Sequence, residues 1–366
     1  MKRRLWLLLA LALILSGCAD LPYLGQSVAG HVRLVAAARP VEEWTAKPDI
    51  SPALRQRLLL TQAMRDFAIS ELHLPDNDSY RRYADLHREA AVWNVVAAPA
   101  LSLAPKTWRF PVMGCVAYRG YFDLAEAKTL GEQLKTEGWE VQVYPVPAYS
   151  SLGWTRDPLL NTFVGYPEGA LAEMMFHELA HQRLYVAGDS AFNESFATAV
   201  GEMGAQAWLD RHGSAAAREA YRIEQARRAD FRALTGRYRE RLLALYASNN
   251  DADKPAQKTA LMQALRADYA QLKADKWGGY AGYDRWFAEP LTNAHLSAVG
   301  TYHDYLPAFR ALLKQERTFV RFYAAVQGIA TLDVVQRRQQ LDVLGRPAML
   351  NAEGVKGPSA GAEGAH

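Results

Sequence analysis

The sequence predicts an α+β fold that is mainly helical, with a small β-sheet packed on a pair of central helices and a long helical hairpin beside them. Three observations predict it. Apolar residues recur at helical spacing over most of the 366 residues. Residues 108–122 are instead rich in β-branched, aromatic and glycine residues, and residues 139–144 alternate as a strand does. Residues 214–276 are dense in Arg, Glu, Ala and Leu and break at Asn249-Asn250-Asp251, which is typical of a hairpin.

The elements follow from local signals. Ser51 is a good N-cap before Pro52, and apolar residues recur from there to residue 74, which predicts a helix. Residues 76–98, rich in Arg and Ala, are predicted to form one or two further helices. The remaining predictions are strands within 108–122 and over 139–144, and helices over 123–137, 167–185, 190–210, 214–246, 255–276, 291–302, 305–316 and 332–343.

Composition divides the chain into parts. Pro and Gly punctuate the segment before residue 51, and the last residues are Gly, Ala, Ser and Pro with little that is apolar. The predicted parts are a signal peptide over 1–17, a tether over 18–50, one domain over 51–350 and a disordered tail over 351–366. Within the domain we predict a small sheet region over 108–165, a helix pair over 166–213 and the hairpin over 214–276.

The N-terminus has the pattern of a secretory signal. Basic residues are followed by an apolar run from Leu5 to Leu15, which is too short to span a bilayer comfortably. The next residues, Leu15-Ser16-Gly17-Cys18, resemble the lipobox of bacterial lipoproteins. The resemblance implies cleavage before Cys18 and lipidation of its thiol. The alternative is a plain signal peptide that contains a cysteine.

Two consequences follow for the compartment. With Cys18 lipidated, Cys115 is a lone thiol, so no intrachain disulfide is expected. By resemblance to known sorting rules, Ala19 in place of Asp implies the outer membrane, facing the periplasm.

The charge argues against nucleic-acid binding. The formal net charge is +3, but three basic residues, Lys2, Arg3 and Arg4, belong to the leader. Removing these three from the 42 basic residues leaves 39 against 39 acidic residues. A neutral mature chain lacks the electrostatic footprint of a nucleic-acid-binding protein, so no such partner is expected.

The motif that carries chemistry is His177-Glu178-Leu179-Ala180-His181, inside the predicted helix 167–185. Two imidazoles four residues apart lie on one face of a helix, so both can reach one metal ion. Glu178 points near the same site and can act as a general base on a metal-activated water. The structural alternative is a pair of helix-face histidines satisfied by hydrogen bonds.

A third ligand is predicted in the following helix. Zinc prefers four-coordinate ligation, and a catalytic site leaves one position to water. Glu194 follows His181 after twelve intervening residues, enough for a turn and return. We therefore predict one Zn²⁺ per chain, held by His177, His181 and Glu194. Competing carboxylates are Glu173, Asp189, which could instead accept a histidine N–H, and Glu202.

These segments resemble known families. The motif followed by Asn193-Glu194-Ser195-Phe196-Ala197 resembles the gluzincins, although the familiar aminopeptidases of that group separate the two pieces by more residues. A closer resemblance is to a bacterial family of predicted aminopeptidases, which are lipoprotein-like. It rests on residues 114–122, 148–158, 176–198 and 293–309. The resemblance implies a zincin-like catalytic core and a zinc metallopeptidase, and it leaves the substrate open.

Further site residues are predicted from their position. Gluzincins often use a Tyr or His downstream of the ligands to stabilise the oxyanion, which points first to Tyr302 and then to His303. The alternative is that the aromatics of this segment only pack. Tyr149 and Trp154, in a loop shortly before the motif, are predicted to bind substrate or else to be ordinary loop residues. Glu202 is predicted to bind a substrate amine or else to be simply solvated.

The sequence thus predicts a zinc-dependent peptidase, an aminopeptidase on short peptides, that a lipid anchor holds at the membrane. One alternative is an endopeptidase or a cell-wall peptide amidase. An acidic residue that closes the cleft and holds a free N-terminus, such as Glu202 or Glu173, would decide between them. Another alternative is a non-catalytic metal-binding lipoprotein whose hairpin docks a partner. No protein partner is identifiable from the sequence.

Overall fold

The structure is a computed structural model that describes residues 21–110, 114–249, 252–303 and 305–353, with the backbone alone for Leu21 and for residues 300–303 and 346–353. Over these residues it is mainly helical with small β-sheets, which confirms the predicted α+β class. The predicted leader, Cys18 and most of the predicted tail lie outside the described residues.

The predicted tether is wrong for most of its length. Residues 18–50 contain helix α1 (Leu21–Ala37), strand β1 (Arg39–Pro40) and helix α2 (Val41–Thr45). Proline is tolerated in the first turn of a helix, so Pro22 does not break α1. Leu34 and Val41 are buried in the main core, which fixes the segment to the body of the protein.

Helix α3 (Pro52–Ser70) begins as predicted, since the Ser51 hydroxyl accepts the Leu54 N–H at 3.2 Å. The predicted helices over 76–98 are wrong. That region contains strands β2 (Arg82–Ala84) and β3 (Val92–Ala98). All seven residues of β3 are buried, and a strand buried on both faces is a continuous apolar run without alternation. Periodicity alone cannot tell such a run from a buried helix.

The strands form small sheets, and the one built around β3 lines the cavity described below. In this sheet β3 lies between β6 (Arg119–Tyr121) and β7 (Glu140–Val146), antiparallel to both. Helix α4 (Leu124–Thr136), capped by Asp123, covers one face. The other strands are β4 (Trp108–Phe110) paired with β5 (Gly114–Val116), and β8 (Leu159–Leu160), which pairs with β2 and completes a sheet ordered β1-β2-β8.

The main core surrounds two helices, α5 (Glu168–Arg183) and α6 (Ser190–His212), which pack along each other. Phe176 on α5 and Phe196 on α6 are fully buried. Three later helices complete this core: α11 (Leu306–Glu316), α12 (Phe319–Ala330) and α13 (Val334–Glu353).

The predicted hairpin is confirmed as α7 (Ala215–Ala247) and α8 (Lys254–Asp275). It has its own apolar cluster, to which α9 (Asp284–Ala288) and α10 (Asn293–His303) contribute through Phe287 and Leu296. Within the described residues, no helix has the length and apolarity needed to cross a membrane.

Candidate metal centre

Three side chains from two adjacent helices meet at one point. His177 and His181 lie one turn apart on α5, and their Nε2 atoms are 3.2 Å apart. Glu194 lies early in α6, with its Oε2 3.4 Å from Nε2 of His177 and 3.6 Å from Nε2 of His181. The ligand atoms of the three residues all lie within 4.8 Å of one another.

This spacing fits a metal ion. Zinc binds His nitrogens and carboxylate oxygens at about 2.0–2.2 Å, so two ligands of a tetrahedral site lie roughly 3.3–3.6 Å apart. The observed separations of 3.4 and 3.6 Å fall within this range, and the third, 3.2 Å between the two Nε2 atoms, lies about 0.1 Å below it. Two neutral imidazoles and one carboxylate are also a donor set that zinc accepts. The residues therefore fit Zn²⁺ without rearrangement.

A short turn between the helices returns Glu194 to the histidines. The Asn193 side chain accepts the N–H of Val186 and donates to its carbonyl oxygen, both at 2.8 Å, so the turn is closed on itself. Asp189 caps α6 by accepting the Phe192 N–H at 3.2 Å, and its other oxygen accepts from Arg337. Asp189 is thus bonded to the cap and to α13, and not to a histidine.

Small residues let the two helices approach. A β-carbon on Gly201 would lie 2.8 Å from the Glu173 carbonyl oxygen and 3.2 Å from the β-carbon of His177. Gly204 is similarly close to the ring of Phe176. These contacts lie beside His177. The glycines therefore let α6 come close enough to α5 for the Glu194 carboxylate to reach the histidines.

The electrostatics of the cluster are dominated by burial and by mutual attraction. Burial opposes the ionisation of Glu194, but His181 and His177 outweigh it and hold the pKa of this carboxyl well below its usual range. Burial raises the pKa of Glu178, and the two histidines only partly offset that effect. The buried Nδ1 of His181 has no hydrogen-bond partner among the described residues.

The cluster opens into a cavity of about 720 Å³. One wall is a face of the central sheet, where Asn94 of β3 lies opposite Tyr144 of β7. The facing wall is α5, with Glu178 among the lining residues. The lining also includes Tyr23 and Leu24 of α1, Glu173 of α5 and Arg228 of the hairpin.

The cavity contains a tyrosine that the sequence reasoning missed. Tyr118, in the connection between β5 and β6, lines the cavity, and its side chain has no hydrogen-bond partner in the described part of the chain. Burial, and then the charge of Glu194, keep its pKa well above the ordinary value, so the hydroxyl stays protonated. Glu178 contributes in the same direction. Tyr185 also lines the cavity, and burial and Glu194 raise its pKa.

The residues predicted to bind substrate are not brought together. Tyr149 lines the cavity and packs on Phe122, with the two ring centroids 5.1 Å apart. Trp154 is 75% exposed and does not line it. Glu202 also lies outside the lining, because its carboxylate faces Arg310 at 2.9 Å and Arg232 at 3.5 Å.

Glu173 and the predicted oxyanion residues are placed differently. Glu173 lines the cavity one turn before His177, but its carboxylate accepts from Tyr221 and Gln225, each at 2.8 Å, and pairs with Arg228. The side chains of Tyr302 and His303, predicted to stabilise the oxyanion, lie outside the described residues; the backbone places both in the last turn of α10.

Fold and site together define a class of protein: an α+β chain with a cavity lined by two histidines and a glutamate able to hold a metal, with a second glutamate beside them. The chain belongs to the family described as "Putative aminopeptidase", which matches residues 22–341. That membership indicates a peptidase. The comparisons with curated proteins and with solved structures each found no match.

Proposed function

We propose that the protein is a zinc-dependent peptidase, an aminopeptidase on short peptides, held at a membrane by a lipid on Cys18. The observation that carries the proposal is the cluster of His177, His181 and Glu194 in one cavity with Glu178. Family membership supports peptide hydrolysis, and the spacing of the three ligand atoms supports zinc.

Bound zinc would supply a water of lowered pKa and a polarised substrate carbonyl. Glu178 would take a proton from the attacking water and pass it to the leaving amine, a route that needs no covalent intermediate. The Tyr118 hydroxyl donates to the carbonyl oxygen as it becomes negative, because it is protonated and unpaired within the described residues. The roles predicted for Tyr302 and His303 stay predictions.

The cavity suits a short peptide. Cavities of roughly 300–1,000 Å³ hold drug-sized ligands, and this one falls within that range at about 720 Å³. Its walls are largely apolar, with Val92 and Val146 on the sheet and Met174 on α5. Asn94 and Ser150 add polar groups that can orient a peptide backbone.

An endopeptidase or peptide amidase is the second candidate, and one observation favours it. Neither carboxylate expected to hold a free N-terminus is available, because Arg228 neutralises Glu173 and Arg310 neutralises Glu202. An aminopeptidase of this chain must therefore bind the substrate amine in another way.

The test compares the parent with Glu178→Gln and His181→Ala. We expect one zinc per chain in the parent and in Glu178→Gln, and little zinc in His181→Ala. Only the parent should cleave a peptide library, and mass spectrometry of the products shows whether one end is trimmed. Stoichiometric zinc without any Glu178-dependent cleavage would overturn the proposal and favour a non-catalytic metal-binding lipoprotein. Internal cuts would favour the second candidate.

A further inference from the structure

Helix α1 is fixed to the body by one face. The Gln26 side chain donates to the Gly120 carbonyl at 3.2 Å and accepts the Phe122 N–H at 3.2 Å. Gly30 lies directly against the ring of Phe122. The Tyr23 ring packs on Phe110 and Tyr121, and the Arg119 guanidinium covers its face. These contacts fix which face of α1 points away from the protein.

The centre of the outward face of α1 is apolar. At helical spacing it carries Leu24, Val28 and Val32, whose exposed fractions are 39%, 64% and 57%. Gly25, Ala29 and Ala36, beside this row, are also exposed. Arg33 is the one charged residue in α1, and it lies on the flank of the helix, beside a pocket shared with Asp123 and Glu126.

Such a face is unusual for a helix in water. A surface helix buries an apolar stripe and presents charged or polar residues on the opposite side. α1 buries one side in the protein and has no polar residue opposite it, so the outward face needs a second apolar environment. Leu24 belongs to that face and also lines the cavity, which places the cavity rim beside it.

The chain positions this face next to the predicted anchor. Leu21 follows Cys18 by three residues, so their α-carbons are at most about 11 Å apart. That reach is comparable with the polar headgroup layer of one leaflet, which is roughly 5–8 Å thick. An acyl chain on Cys18 therefore holds the start of α1 at the boundary between headgroups and hydrocarbon.

We propose that α1 lies in the membrane interface, with Val28 and Val32 against the acyl chains and the cavity rim at the lipid surface. The occupant of the outward face is thus bilayer lipid. This goes beyond peptide hydrolysis, and it rests on the proposed lipid anchor and not on catalysis. The consequence for substrates is that the cavity is supplied from peptides lying on, or attached to, the same membrane.

The test uses the processed, lipidated chain in vesicles of phosphatidylethanolamine and phosphatidylglycerol. In a Cys115→Ser background, nitroxide labels are placed on Val28→Cys, on Val32→Cys and, as a matched control, on Leu243→Cys. Leu243 is an apolar residue of the hairpin that is 50% exposed. Power-saturation spectroscopy then compares collision with oxygen, which enriches in lipid, and with a water-soluble nickel chelate.

We expect the labels at 28 and 32 to collide mainly with oxygen and the label at 243 mainly with nickel. Labels at 28 and 32 that behave like the one at 243 would overturn the proposal. Labels shielded from both reagents would also overturn it, in favour of a second copy of the chain on this face. A chain recovered without lipid on Cys18 would overturn it at its first step, whatever the peptidase assay shows.

Discussion

A β-carbon on Gly201 would lie 2.8 Å from the carbonyl oxygen of Glu173, closer than real side chains approach a backbone atom. The main chains of α5 and α6 therefore touch at the turn that precedes His177. Because Glu194 lies two turns before Gly201 on the same helix, the close approach of the two helices helps to set the distance between the third ligand and the histidines.

Gly201→Ala is predicted to separate the helices and weaken metal binding. Overpacking of a close contact costs about 1–3 kcal/mol, which exceeds the gain of up to ~1 kcal/mol from replacing a helical glycine by alanine. Urea unfolding should show a net loss of stability, and zinc competition with a chelator should show lower affinity.

The matched control is Gly236→Ala on α7, where a β-carbon would meet nothing within 4 Å. It should gain roughly 0.5–1 kcal/mol and leave zinc binding unchanged. If both variants are stabilised alike, the close approach of α5 and α6 does not limit the site.

Tyr118→Phe is predicted to lower kcat by about 100- to 1,000-fold, the usual cost of removing one oxyanion donor. Because the hydroxyl acts as charge develops, KM should change little. Zinc content should match the parent, since Tyr118 is not a ligand. Tyr83→Phe, which removes a hydroxyl outside the cavity, is the control and should keep parental kinetics. A Tyr118→Phe enzyme with parental kcat would return the oxyanion role to Tyr302 or His303.

Local signals predicted the helices that carry the ligands. Residues 167–185 and 190–210 were predicted as helices and are α5 and α6, because their ends are marked by Pro167, Gly188 and Gly213. The spacing of His177 and His181 dictates a shared face whenever the segment is helical. The two helices and the shared face of the histidines can therefore be predicted without tertiary information.

The failures come from tertiary packing. Apolar and polar residues do not alternate along strand β3, because both its faces are buried. The sequence of Val92–Ala98 therefore cannot be distinguished from that of a buried helix. Likewise, the sequence of α1 predicts a tether because the surface on which this helix packs, around Gly120 and Phe122, comes about ninety residues later. The sequence does not identify Tyr118 either, since only the folded chain brings it into one cavity with Glu194.

The ion pair between Arg337 and Asp189 is predicted to stabilise the turn before Glu194. The side chains are 8% and 7% exposed, so removing one charge leaves the other buried. Arg337→Met should cost about 3–5 kcal/mol in the free energy of unfolding. The double variant with Asp189→Asn should recover much of this, because Asn removes the buried charge and still caps α6. Urea unfolding of the two single variants and the double variant measures these changes in the free energy of unfolding. A double variant no more stable than Arg337→Met would show that packing, and not charge, matters there.

His295 is predicted to make stability fall as the pH is lowered from 6.5 towards 4. It is 3% exposed and accepts the Thr292 N–H at 3.2 Å through Nδ1, which requires the neutral ring. Burial, and then the charge of Arg266, lower its pKa from 6.5 to about 4. Between these values the unfolded chain binds the proton and the folded chain does not, so acid favours unfolding, by on the order of 3 kcal/mol once the pH reaches 4.

His295→Gln retains an acceptor for the Thr292 N–H. In this variant the free energy of unfolding, measured with urea, should vary less with pH across this range. His87→Gln, at a side chain that is 86% exposed, should leave the parental slope unchanged. Equal slopes in the parent and His295→Gln would assign the acid sensitivity to other groups.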